Sequence, residues 1–79
     1  MVTVHRAHGL RFIIFVDDHE PAHVHVFGDG HAKINLLGAF GRPELVTIDG
    51  MKRSDVRRAM QVVADEQEAL LARWREIHG

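Results

Sequence analysis

The sequence contains no cysteine, which excludes disulfide staples, thiolate metal clusters and a cysteine nucleophile. It has no excess charge of one sign: ten Lys and Arg stand against eleven Asp and Glu, a formal net charge of −1. No basic field over the whole chain therefore advertises nucleic acid. Long apolar runs are missing as well. The longest strongly apolar one, Phe12-Ile13-Ile14-Phe15-Val16, falls far short of the ~20 residues a membrane-spanning helix needs. The first residues lack the basic-then-apolar-then-small order of a signal peptide, so no export signal is expected. Seventy-nine residues make one small domain, 1–79, whose thin core rests on a single layer-on-layer contact.

What is abundant is histidine. There are seven, where equal use of twenty residue types would give about four. Five of them lie between His8 and His31.

The first half of the chain has the pattern of strands. Leu10 to Val16 is β-branched and aromatic and apolar on both faces, as in a strand covered on both sides. Residues 2–6 form a short strand beside it. Asp17-Asp18-His19-Glu20-Pro21 is a polar break, since Pro21 is unsuited to a ladder interior. His23–Phe27 and His31–Leu37 each alternate, separated by Gly28-Asp29-Gly30. A two-residue turn at Asp29-Gly30 would mix histidines with the apolar set. A three-residue loop with Gly30 left-handed instead sets Val24 opposite Ile34 and Val26 opposite Ala32. His23 then faces Asn35, His25 faces Lys33, and Phe27 faces His31. Because a one-residue slip flips every side chain, the second register is preferred. It predicts a hairpin with one apolar face and one His-rich face turned to solvent.

Gly38–Pro43 reads as a loop and residues 45–48 as a further short strand. From Ser54 the period changes. Val56, Met60, Val63, Gln67, Leu70, Trp74 and Ile77 recur at steps of four and three, predicting an amphipathic helix of about 25 residues over 54–78. Ser54 is the expected N-cap, with Asp55 in the first turn and Gly79 at the end. Gln67 interrupts the apolar stripe, which fits either a polar rim position or a register-setting residue in a helix-paired dimer. The fold class is α+β: an antiparallel sheet of four to five strands within residues 2–48, and one long C-terminal helix on its apolar face.

Three groups of residues could carry function. His23 and His25 point the same way from a strand and could converge on one metal ion such as zinc, with His19 as a third ligand, or Glu20, Asp17 or Asp18. The same imidazoles beside Asp18 or Glu20 could transfer protons, with Lys33 or Arg11 stabilising negative charge. Lys52, Arg53, Arg57 and Arg58 surround a helix start, where the dipole disfavours cations, and would suit a phosphate backbone or an acidic protein. No second helix with a recognition-turn pattern precedes them, which speaks against helix-turn-helix DNA reading.

The run Glu20-Pro21-Ala22-His23-Val24-His25-Val26, then Ala32-Lys33, then Trp74 on the last helix, resembles domain-of-unknown-function family 4160. The resemblance spans Val2 to Ile77. Ala22 departs from it, where a second proline is common, and so does Asn35, where an aromatic is common. It implies a small cytoplasmic prokaryotic protein, often encoded beside another small protein and described as a toxin–antitoxin component. It implies no established activity. Within this sequence it selects Glu20, His23, His25 and Lys33.

Three function classes follow. The first is a binding module acting through the His/Lys sheet face (His19, Glu20, His23, His25, Lys33), with Arg53, Arg57 and Arg58 as a second contact. Its partner would be a small neighbouring-gene protein, or RNA or DNA. The second is a His-dependent or metal-assisted ribonuclease using His23, His25, Glu20 and Asp18. The third is a helix-mediated homodimer. A membrane partner is not expected.

Overall fold

The computed structural model describes residues 1–79. Five strands form one antiparallel meander in chain order: β1 (Val2–Ala7), β2 (Leu10–Ile14), β3 (His23–Phe27), β4 (His31–Asn35) and β5 (Glu44–Asp49). Two helices follow, α1 (Arg53–Asp65) and α2 (Gln67–His78). β1 and β2 join through His8 and Gly9, with φ of 55° and 75°. A pair of left-handed residues gives a tight turn whose twist matches that of the strands.

The β3–β4 hairpin has the register that the alternation predicts: His23 pairs with Asn35, Val24 with Ile34, His25 with Lys33, Val26 with Ala32 and Phe27 with His31. Its turn differs in detail. Gly30 was expected to be left-handed, but it is not among the residues with positive φ. Glycine is needed there for space, because a Cβ would collide with the backbone at Gly50 and Met51. The end of β5 therefore passes tightly against the hairpin tip.

One buried apolar cluster joins the sheet to the C-terminal segment. Leu10, Phe12, Ile14, Val24, Val26, Ala32, Ile34 and Leu36 meet Met51, Ala59, Val62, Val63, Leu70 and Trp74. Each large aliphatic or aromatic side chain buried here contributes about 1.5–3 kcal/mol. Ile13, one position out of phase, is also buried yet lies outside this cluster. The second face of β2 is thus covered at Ile13 only: Arg11 is exposed, the strand ends at Ile14, and Val16, at the end of the apolar run, lies exposed beyond it.

The expected single helix is divided. Glu66, at φ −107° and ψ 16°, interrupts it, while its N–H still bonds Val62 O at 2.9 Å and its carbonyl accepts from Leu70 N–H at 2.8 Å. The backbone bonds thus bridge the bend, and the four-three spacing runs through it uninterrupted. Gln67 begins α2, and its Nε2 donates to Leu36 O at 2.7 Å and to Gly41 O at 3.0 Å. The polar residue in the apolar stripe is therefore an internal clip to the chain after β4, and its amide supplies no basis for a helix-paired dimer. The α1 start also differs from expectation. Lys52, not Ser54, occupies the N-cap, with no side-chain cap bond. Asp55 lies in the first turn as expected, buried, 3.4 Å from Arg58 Nη1.

Replacing Gln67 with Ala leaves two carbonyls without their side-chain donor. The variant should lose about 1–3 kcal/mol of unfolding free energy, measured by urea denaturation. An unchanged midpoint would mean that the clip contributes nothing.

Candidate imidazole–carboxylate site

β3 is the middle strand of the five, so residues on its non-core face have a strand on either side. Alternation puts His23 and His25 on that face. Ile13 of β2 and Lys33 of β4 flank His25 in register. The connection between β2 and β3 then turns back over these residues. Asp18 N–H donates to Phe15 O at 3.1 Å, and Phe15 N–H donates to Asp18 Oδ2 at 3.3 Å. This reciprocal turn holds the Asp18 carboxylate 3.1 Å from His23 Nε2 and 3.5 Å from His25 Nε2. One ligating atom from each of the three residues lies within 4.8 Å of the others.

The far side of each ring is also engaged. His23 Nδ1 lies 2.8 Å from Pro21 O, an atom that can only accept, so Nδ1 is the donor. His25 Nδ1 lies 3.0 Å from His31 Nε2. The Phe15 ring meets His25 edge-on, with centroids 4.8 Å apart. Trp74 of α2 lies against His23 at 5.2 Å, and its indole N–H donates to Glu20 Oε1 at 3.1 Å. His78 stacks on Trp74 at 3.8 Å.

The expectation of a solvent-facing histidine pair is corrected for His23, which is 4% exposed. The register is as inferred, but Trp74 and the Phe15–Ala22 segment close over the ring. Trp74 is distant in sequence and the segment folds back outside any strand, so strand alternation registers neither contact. His25 is half-buried. Burial pushes its pKa below 6.5, Asp18 opposes the shift, and the charges of His23, His31 and Lys33 add to it.

The sequence-derived residues divide into groups. Asp18, His23 and His25 come together. His19 is exposed and not part of the cluster. Glu20 is engaged with Trp74, and Lys33 flanks His25. Arg53, Arg57 and Arg58 are exposed on α1, with Arg58 bonded to Asp55. His31 was not anticipated. It sits two residues from Lys33 on the same strand, so it is the diagonal same-face neighbour of His25, and that offset was available as a signal. Phe15 and the Trp74–Glu20 bond had no such signal.

A second feature is a cleft of about 480 Å³ where the β1–β2 turn meets the start of α1. His8, Arg11, Lys52 and Arg58 line it, with Asp29 and Asp55.

A sequence-family model described as a domain of unknown function (DUF4160) matches residues 9–75. The chain belongs to that family. The DUF4160 match takes in Asp18, His23, His25, His31 and Trp74, and leaves β1 outside. No curated protein and no solved structure matches the chain. No helix of this DUF4160 protein is long and apolar enough to cross a membrane.

The lowered His25 pKa has a thermodynamic consequence. In the unfolded chain His25 titrates near 6.5, so below that value the unfolded state binds more protons at this residue. The stabilisation from a neutral His25 is complete above pH 6.5 and is lost as the pH falls through the interval down to its folded value. In chelator-containing buffer, the stability difference between wild type and His25→Gln should narrow from pH 7.5 to 5.5. A difference that does not change with pH would contradict the shift.

Proposed function

We propose that this domain is a non-enzymatic binding module, one half of a two-protein pair of the toxin–antitoxin kind, which docks an acidic surface of the other protein. The observation that carries the reading is the cleft bearing His8, Arg11, Lys52 and Arg58. Arg53 and Arg57 are exposed on the same end of α1. The helix dipole disfavours cations at this end. Asp55 is paired with Arg58, and Asp29 is the one other carboxylate in the lining, which leaves the cations of the cleft and the helix start in excess. An acidic partner supplies the remaining counter-charge and accepts hydrogen bonds from the arginine forks. The net charge of −1 over the chain favours a protein surface of limited area over a nucleic-acid backbone.

The His/Lys face has a smaller part in this reading than its composition suggests. His23 is buried and His25 is engaged on both ring nitrogens, so Lys33 and the exposed His19 are what this face offers a partner. The main contact moves to the cleft.

Co-expression with the protein encoded beside this chain tests the proposal. A complex should form at low salt and weaken as salt rises, since exposed charges are screened beyond about 10 Å at 0.1 M. The double variant Arg11→Ser/Lys52→Ser should bind roughly tenfold more weakly or worse while its melting temperature stays near that of wild type. A chain that elutes alone would overturn the reading. Retention of RNA in place of protein would transfer the cleft to nucleic acid.

A further inference from the structure

We infer that Asp18, His23 and His25 form a mononuclear site for a divalent transition metal of the zinc class. This site shares no residue with the basic cleft and is independent of partner binding there.

The convergence of three ligand atoms within 4.8 Å of one another carries the inference. Pro21 O lies 2.8 Å from His23 Nδ1 and can only accept, so in a neutral ring the single proton is on Nδ1 and Nε2 presents a lone pair. That lone pair faces Asp18 Oδ2 at 3.1 Å. Two electron-rich atoms at this distance repel unless a cation lies between them. The arrangement recurs at His25 when its Nδ1 donates to His31 Nε2, 3.0 Å away. His25 Nε2 then presents a second lone pair to the same carboxylate oxygen at 3.5 Å. With Nδ1 of each ring turned to Pro21 O or His31, both Nε2 atoms are placed to bind one ion together with the Asp18 carboxylate oxygen.

The spacing agrees. Zinc bonds of about 2.0–2.2 Å at tetrahedral angles put ligand atoms roughly 3.3–3.5 Å apart, and the two nitrogen–carboxylate separations are 3.1 and 3.5 Å. The surrounding bonds are those a metal site needs. Each imidazole has its remote nitrogen held, one by a backbone carbonyl and one by His31, and Phe15 N–H steadies the carboxylate. Such contacts orient ligands and select the tautomer that binds metal. Imidazole donors select zinc, iron, cobalt or nickel over magnesium or calcium. Asp18 and His25 are only half-buried, which leaves a fourth position facing solvent.

Untagged protein stripped with chelator, then titrated with zinc(II) by calorimetry and with cobalt(II) by visible absorption, tests the site. One ion per chain should bind with a Kd of about 10 μM or tighter, and binding to the folded state should raise the melting temperature. Asp18→Asn and His25→Gln should each weaken binding at least about 100-fold, and His31→Ala about tenfold through loss of ligand orientation. His19→Ala should bind as wild type does. Circular dichroism checks that each variant is folded, and if Asp18→Asn is not, the half-exposed His25→Gln carries the comparison. The inference is overturned if the folded wild type takes up no stoichiometric metal. It is equally overturned if both ligand variants keep wild-type affinity, or if the His23 ring nitrogens give imidazolium NMR signals both before and after zinc is added.

Discussion

The pairing of Val24 with Ile34 and of Val26 with Ala32 commits every residue of β3 and β4 to one face of the sheet. A one-residue slip of one strand against the other would mix the faces: either His23 and His25 enter the apolar cluster and the valines leave it, or Lys33 enters it and Ala32 and Ile34 leave. The cost of burying such polar groups without partners, together with the loss of two apolar side chains from the core, holds the register in place. Both candidate sites inherit from it. The histidine pair lies on the non-core face because the valines do not, and the hairpin tip is brought against Gly50, just before the start of α1.

On the non-core face the decisive element is a connection, not a strand. Residues Phe15 to Ala22 turn back so that Asp18 reaches both imidazoles while Phe15 meets the outer one. Trp74 links this arrangement to the other side of the sheet, since its ring belongs to the apolar cluster, lies against His23, and donates to Glu20. A change in how α2 sits is therefore felt at the histidines. Gln67, at the first position of α2, ties that helix to Leu36 and Gly41, so the bend at Glu66 is braced from the chain that leaves β4. The imidazole site and the helix break are connected through one helix, α2, clipped at its start and carrying Trp74 toward its end.

The basic cleft and the imidazole site also differ in electrostatic character. In the cleft, long cationic side chains stay hydrated and exchange partners at little cost, which suits reversible docking. At the imidazole site the groups are short, at least half-buried and mutually oriented, which suits a small ion held in one geometry. The two proposed sites share no residue.

Alternation and turn chemistry alone determined the strands, the hairpin register, the separation of histidines from the apolar face, and the amphipathic phase that places Leu70 and Trp74 in the core. These are local properties, because side-chain direction follows from the backbone period. What they could not determine was anything set by segments meeting across the chain. The burial of His23 depends on Trp74, fifty-one positions away by residue number, and Asp18 rather than His19 faces the imidazoles because of a reciprocal turn with Phe15. The spacing of Gln67 fits a rim or an interface position equally, and its bonds to Leu36 and Gly41 decide between them. Gly30 was assigned a left-handed turn when its role is clearance for the Gly50 backbone. In each case the residue type was legible as unusual in its sequence position, and only the tertiary contact decided why.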